Sequence, residues 1–184
     1  MLSNLLKNLP KKVRIVEVGP RDGLQNEKTI ISLEDKFKFI KLLSAAGLHE
    51  IEATSFVRAE KIPQMNDGAE LFALIQSDPS LSKNSFISLV PNIKGMETAL
   101  KVGARDVAIF TSTSNSFNKK NINATIDESL ERIKEVTKVA IENKVRVRGY
   151  ISTVFGCPYE GKTSLEALKK LLISFKNLVF MKFL

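Results

Sequence analysis

The sequence is poor in the side chains that most often build disulfides and metal sites: its 184 residues include one cysteine, Cys157, one histidine, His49, and no tryptophan. A single cysteine excludes an internal disulfide framework and suits a reducing compartment, so we expect a cytoplasmic protein. No apolar run approaches the roughly 20 residues of a membrane span, and we expect no membrane association. The composition, 43% hydrophobic and 26% charged, is typical of a soluble domain with a sizeable core.

The net charge of +8 raises the question of a nucleic-acid partner or an acidic ligand. The lysines are scattered among acidic residues along the predicted helices, and they lack interleaved aromatic side chains. This pattern is typical of a solvated surface, and we predict no nucleic-acid partner.

Short β-branched stretches alternate with amphipathic stretches along the chain. Ser32, with Asp35 in the first turn, predicts an N-cap, and Gly47 predicts that this helix ends near Ala46. Five strand and helix units at roughly 30-residue spacing predict a parallel sheet with right-handed crossovers. The predicted strands are 13–18, 50–54, 85–90, 106–110 and 145–152, and the predicted helices are 32–46, 67–77, 94–102, 125–143 and 164–176.

The segment after the first strand carries the most informative motif. Gly19 and Pro20 end the strand, because proline has no N–H with which to continue the hydrogen-bond ladder. Arg21 and Asp22 therefore lie just past the carboxyl end of the strand, where α/β folds place their chemistry. A carboxylate in this position can hold a hard divalent cation, and a guanidinium can stabilise developing negative charge.

Strand alternation predicts which side chains share a face. Glu17, Glu52 and Arg148 are predicted to point inward with their opposite charges compensating, and Thr54 is predicted to share the face of Glu52. Two alternatives stay open for this group. It is either a structural ion-pair network or a second shell around a metal site.

Six stretches with distinctive sequences occur in order between about Pro10 and Asn177. They are GPRDGLQNEK at 19–28, IEATSF at 51–56, PQMND at 63–67, KKNIN at 119–123, VRGYIS at 147–152 and GCPYEGK at 156–162. With these stretches the chain resembles hydroxymethylglutaryl-CoA lyase, of the metal-dependent lyase and synthase superfamily. GPRDGLQNE and GCPYEG favour the lyase over the acyl-CoA condensing synthases of that superfamily, which remain an alternative.

The resemblance implies a fold and an activity. The fold is an incomplete (β/α)8 TIM barrel of about five to six β-α units, in one truncated, pyruvate carboxyltransferase-like domain over residues 1–184. Leucines at helical spacing in residues 2–9 are expected to cover the barrel floor. The implied activity is the divalent-metal-dependent retro-Claisen cleavage of 3-hydroxy-3-methylglutaryl-CoA, an acyl-CoA thioester, to acetoacetate and acetyl-CoA, with Mg²⁺ or Mn²⁺. A place in leucine catabolism comes with the resemblance alone.

The resemblance also implies roles for single residues. Asp22 matches a metal ligand, Arg21 matches the group that binds the substrate and stabilises its enolate, and Glu52 matches a nearby carboxylate. The further substrate-binding positions are Gln25, Lys28 and Ser55. Lys119, Lys120 and Asn121, on the predicted loop after the fourth strand, either meet coenzyme A phosphates or are simply solvated. Cys157 is expected to pack in its loop rather than act as a nucleophile.

The sequence does not contain the family's later metal ligands. We therefore expect this chain to bind the metal weakly and to catalyse little. Unpaired sheet edges and an exposed apolar interior are expected to favour a homo-oligomer or self-association. A non-catalytic fragment or interaction partner is the alternative function, and the last six residues, 179–184, are consistent with a one-nucleotide frameshift in a longer gene.

Overall fold

The computed structural model describes residues 12–58 and 60–179. Its five strands are all parallel and form one curled sheet in the order β1-β2-β3-β4-β5. The strands are β1 (Val16–Glu17), β2 (Glu50–Ser55), β3 (Ser85–Leu89), β4 (Asp106–Ser112) and β5 (Arg146–Ser152). Because each strand pairs with its neighbour in sequence, the sheet is wound in one direction, as in part of a TIM barrel. The predicted fold class is confirmed.

Six α-helices follow the strands in the described residues, and the first of them carries the predicted caps. They are α1 (Leu33–Ala45), α2 (Gly68–Ser77), α3 (Ile93–Lys101), α4 (Asn115–Ile122), α5 (Ile126–Glu142) and α6 (Leu165–Val179). The Ser32 hydroxyl accepts a hydrogen bond from the Asp35 N–H, and Gly47, at φ +88°, follows α1. Thr125 begins α5 with a reciprocal capping box. No helix in the described ranges is long and apolar enough to cross a membrane.

The sheet has an apolar layer on each face. Side chains facing the helices, such as Ile51 and Val107, belong to the main core. On the inward face Ile87, Leu89 and Ala108 form a second cluster, against which Val16, Phe110 and Tyr150 pack. Ile87 and Leu89 are buried. The expected exposed apolar interior is therefore wrong for these residues, because the curl brings the side chains of neighbouring strands into contact.

The first strand is shorter than predicted. Only Val16 and Glu17 pair with β2, and Val13 and Ile15 are each 68% exposed. Between them, Arg14 binds the Glu50 carboxylate from outside the ladder. The β-branched composition favours extended backbone, but the buried strand predicted over residues 13–18 is wrong in its first half.

Two of the predictions concern residues that the structure does not describe. The helix expected over residues 2–9 and the tail at 180–184 lie outside the described residues.

The predicted loop holding Lys119, Lys120 and Asn121 is wrong, because these residues belong to α4. The Ser114 side chain caps this helix, and Asn118 bonds to Thr111 and Ser129 in the core. The polar sequence NSFNKKNI, with few apolar positions, hid the helix.

Candidate active site

The GPRDG motif forms one wide helical turn at the carboxyl end of β1. It spans Gly19–Gly23 and has π-type hydrogen bonding, with Pro20 buried at its start. The Val18 carbonyl accepts hydrogen bonds from the Arg21 N–H at 3.1 Å and the Asp22 N–H at 2.7 Å. Single π-turns of this kind occur frequently at functional sites. The turn fixes the backbone of both predicted site residues.

Arg21 joins the two carboxylates of the site. Its Nε donates to Glu52 Oε1 at 2.5 Å, and its Nη1 donates to Asp22 Oδ1 at 2.7 Å. The Glu52 side chain is fully buried, whereas the Asp22 side chain is 55% exposed. The guanidinium thus compensates a buried charge on one side and holds an accessible carboxylate on the other.

The second oxygen of Glu52 is held from the opposite edge of the sheet. The Tyr150 hydroxyl, on β5, donates to Glu52 Oε2 at 2.5 Å. Burial raises the pKa of Tyr150 to about 12, and its hydrogen bond to Glu52 and the charge of that carboxylate act in the same direction. Tyr150 lies two residues after Arg148 on β5 and therefore shares its inward face, but it was not among the predicted site residues. A phenol on the same face as an inward carboxylate was the available signal.

Glu17 is not part of this cluster, and the prediction that it points inward is wrong. It pairs with Ile51, whose side chain belongs to the helix-facing core. The Glu17 carboxylate turns back to accept a hydrogen bond from the Gly19 N–H at 2.6 Å. Its place is in the support of the turn that carries Arg21. Because the strand is only two residues long, its alternation pattern does not show which of its side chains face inward.

A register shift in β2 moves two further residues. Glu52 pairs with Ile87 and Thr54 with Ser88, so one residue of β2 is extra. Thr54 therefore faces the helices, where its hydroxyl contacts Met65 Sδ, and its predicted inward position is wrong. Ser55 pairs with Leu89, is buried, and its hydroxyl has no hydrogen-bond partner among the described residues.

The remaining predicted residues lie around this cluster. Arg148 lies on the inward face of β5, exposed, with its guanidinium carbon 5.2 Å from the centroid of the Tyr150 ring. Gln25 and Lys28 line a cleft of about 370 Å³, opposite Lys61 and Gln64. The structure therefore brings Arg21, Asp22 and Glu52 together and places the Gln25 and Lys28 wall beside the PQMND segment.

The loop 156–162 packs onto the start of α4. Cys157 is buried with its Sγ 3.0 Å from Ser114 Oγ, and the Glu160 carboxylate accepts from the Ser116 N–H. Lys120 Nζ lies 3.8 Å from the centroid of the Tyr159 ring. These contacts give Cys157 a packing environment and engage Lys120 with an aromatic face.

The described residues do not form a metal shell by themselves. Across residues 12–58 and 60–179, no group of three or more His, Cys, Asp or Glu side chains is arranged to hold an ion. Asp22 is the accessible carboxylate of the cluster, while both oxygens of Glu52 are engaged. A hard divalent cation takes about six oxygen ligands, which the single carboxylate of Asp22 could not supply.

Comparisons of sequence and of fold with known proteins both relate this chain to one family. The family model described as HMGL-like matches residues 12–183. The 3-hydroxy-3-isohexenylglutaryl-CoA/hydroxymethylglutaryl-CoA lyase of Pseudomonas aeruginosa is 53% identical over 154 residues, which cover 84% of this chain and 50% of that protein. This chain thus spans about half the length of the curated relatives it matches.

Solved structures extend the likeness to the fold. A hydroxymethylglutaryl-CoA lyase from Pseudomonas aeruginosa superposes with a TM-score of 0.86 at 47% identity, covering 93% of this chain and 56% of that one. An HMG-CoA lyase from Acinetobacter baumannii, in complex with coenzyme A and 3-methylmalate, gives a TM-score of 0.81 at 33% identity, covering 89% and 52%. The chain belongs to the HMGL-like family.

Proposed function

We propose that this chain carries the first part of a hydroxymethylglutaryl-CoA lyase, which cleaves 3-hydroxy-3-methylglutaryl-CoA to acetoacetate and acetyl-CoA. The observation that supports this most directly is the Arg21 guanidinium, held by buried Glu52 beside accessible Asp22 at the carboxyl end of β1. The names of the relatives, at about half sequence identity, point to the same reaction.

The reaction puts negative charge on the thioester. The tertiary hydroxyl loses its proton, the carbon–carbon bond breaks to leave acetoacetate, and the bonding pair passes to the enolate of acetyl-CoA, which then takes up a proton. Arg21 has five N–H donors, and its bonds to Glu52 and Asp22 use Nε and Nη1. The Nη2 donors, which no described residue accepts, are assigned to the enolate oxygen.

Glu52 and Tyr150 have a positioning role in this proposal. A buried carboxylate with both oxygens hydrogen-bonded has little freedom, so it holds the guanidinium in one orientation. The donors then face the position where charge develops before the reaction begins. Such preorganisation avoids the cost of reorienting dipoles during the chemical step.

Asp22 is assigned one position in the shell of Mg²⁺ or Mn²⁺. When bound, a divalent ion would acidify the substrate hydroxyl and orient the substrate. The other ligands are not among the described residues, so we assign no step to the ion. Gln25, Lys28 and Ser55 are proposed to bind the acyl-CoA thioester. A cytoplasmic location and a role in leucine catabolism complete the proposal.

A chimera tests the assignment. Residues 1–178 joined to the second half of the Pseudomonas aeruginosa lyase should release acetoacetate and acetyl-CoA when Mg²⁺ or Mn²⁺ is present. Arg21→Gln in the chimera should abolish that release, whereas Arg14→Gln, an exposed arginine before β1, should leave it unchanged. The 184-residue chain alone should release neither product. A folded chimera that binds acetyl-CoA but cleaves nothing would overturn the proposal.

A further inference from the structure

The side chain of Gln64 joins two backbone segments that form opposite walls of the 370 Å³ cleft. It is 2% exposed and lies in the short 3₁₀ turn Pro63–Met65. Its Nε2 donates to the Thr29 carbonyl at 3.0 Å, and its Oε1 accepts from the Ile31 N–H at 2.9 Å. The amide thus bonds to the chain as a neighbouring β-strand would, with one donor and one acceptor.

Gln64 is itself held by a buried lysine. Lys36, on α1, is 3% exposed, and its ammonium donates to the Gln64 backbone carbonyl and to both carboxylate oxygens of Asp67 at 2.8 Å. An ammonium group has three donors, and these three contacts match that number. Burying a lysine is costly unless it is paired in this way. The arrangement fixes the turn that carries Gln64 against α1.

The segment that Gln64 holds follows directly on the Arg21 turn. Lys28 lies on it and Gln25 lies two residues before it, in the same cleft wall, and Lys28, Thr29 and Ile30 are exposed to solvent. Residues 27–31 lie outside the helices and strands, and exposed loops without other anchors move freely. The two hydrogen bonds of Gln64 therefore restrict a wall that would otherwise be mobile.

We infer that Gln64, oriented by Lys36, is a positioning residue that holds the Gln25 and Lys28 wall in place for the acyl-CoA thioester. The inference rests on the proposed function, which assigns substrate binding to that wall. A merely structural role would spread the effect of removing Gln64 over the whole domain. A positioning role concentrates it in residues 27–31 and in thioester binding.

Amide hydrogen exchange of the full 184-residue chain, followed by NMR, tests whether the two hydrogen bonds of Gln64 restrict residues 27–31. Gln64→Leu removes both hydrogen bonds, and the Ile31 amide should exchange roughly five- to tenfold faster. Gln64→Glu keeps the acceptor, so the same amide should stay protected. Gln76→Leu is the matched control, since Gln76 bonds only to the Val102 carbonyl, far along the chain from the cleft. Equal acceleration in the Leu and Glu variants at position 64, or none in either, would overturn the inference.

Binding of acetyl-CoA, measured by calorimetry, tests the positioning role. Gln64→Leu should weaken binding by roughly five- to tenfold, because both hydrogen bonds to residues 29 and 31 are lost. Gln76→Leu should not change it. If the unsubstituted chain binds and Gln64→Leu binds equally well, the inference fails while the proposed function stands. If the unsubstituted chain does not bind acetyl-CoA, the substrate assignment fails and the positioning role fails with it.

Discussion

Two strands of the sheet carry charged residues on the same inward face, with different outcomes. On β2, next to the Arg21 turn, Glu52 is buried and both its oxygens are bonded. On β5, which pairs with a described strand on one side only, Arg148 is exposed and lies against the ring of Tyr150. The comparison teaches that a buried inward charge has partners for its polar atoms, whereas a charge on the edge strand keeps contact with solvent.

The largest expected effect is at the buried end of this comparison. Glu52→Gln leaves the Arg21 guanidinium with only the exposed Asp22 carboxylate as a compensating charge, so the free energy of unfolding should fall by about 3 kcal/mol. Urea denaturation measures it. Arg14→Gln breaks an exposed pair with Glu50 and should cost under about 1 kcal/mol. Similar losses in the two variants would contradict the dependence on burial.

Lys36 sharpens the comparison with a second buried charge. Lys36→Met leaves Asp67 without its partner, but that carboxylate is partly exposed and regains some hydration, so we expect a loss of about 2 kcal/mol. Thermal unfolding is the measurement. The control is Lys41→Met, which removes a half-exposed ammonium from its pair with Asp78 and should shift the melting temperature much less.

Tyr150 connects the two strands, and its raised pKa predicts that the stability of the fold falls at alkaline pH. Its pKa in the folded protein is about 12, above the ordinary 10.0, so the folded state holds this proton more tightly than the unfolded state. The resulting stability is complete below pH 10 and is lost as the pH rises from about 10 to about 12. Tyr150→Phe should remove this loss between pH 10 and 12, which denaturation curves at several pH values would detect. An unchanged loss in the variant would assign it to another group.

The smallest effect is expected at the exposed end. Arg148→Gln removes a solvated charge and one contact with the Tyr150 ring, and the free energy of unfolding should change by no more than about 0.5 kcal/mol. Urea denaturation of this variant, measured alongside Glu52→Gln, would show the change in the free energy of unfolding. A loss as large as that of Glu52→Gln would mean that β5 fixes its charges as firmly as β2 does.

Local sequence signals predicted much of this fold. The order of strands and helices, the cap at Ser32, and the turn holding Arg21 and Asp22 all depend on residues close together in sequence. The extra residue in β2 that turns Thr54 toward the helices depends instead on pairing with β3. The bond between Tyr150 and Glu52 joins residues 98 positions apart, and no local pattern encodes its geometry.

The order of the strands also bears on how the chain reaches this structure. Each strand pairs with the strand before it, as Glu50 with Val16 and Arg146 with Asp106, so pairing partners are 34 and 40 positions apart. During synthesis at roughly 5 to 20 residues per second, a new unit therefore meets an already formed edge within seconds of leaving the ribosome. The curled sheet can be assembled from its amino end, one unit at a time, with the Arg21 turn among the first parts in place.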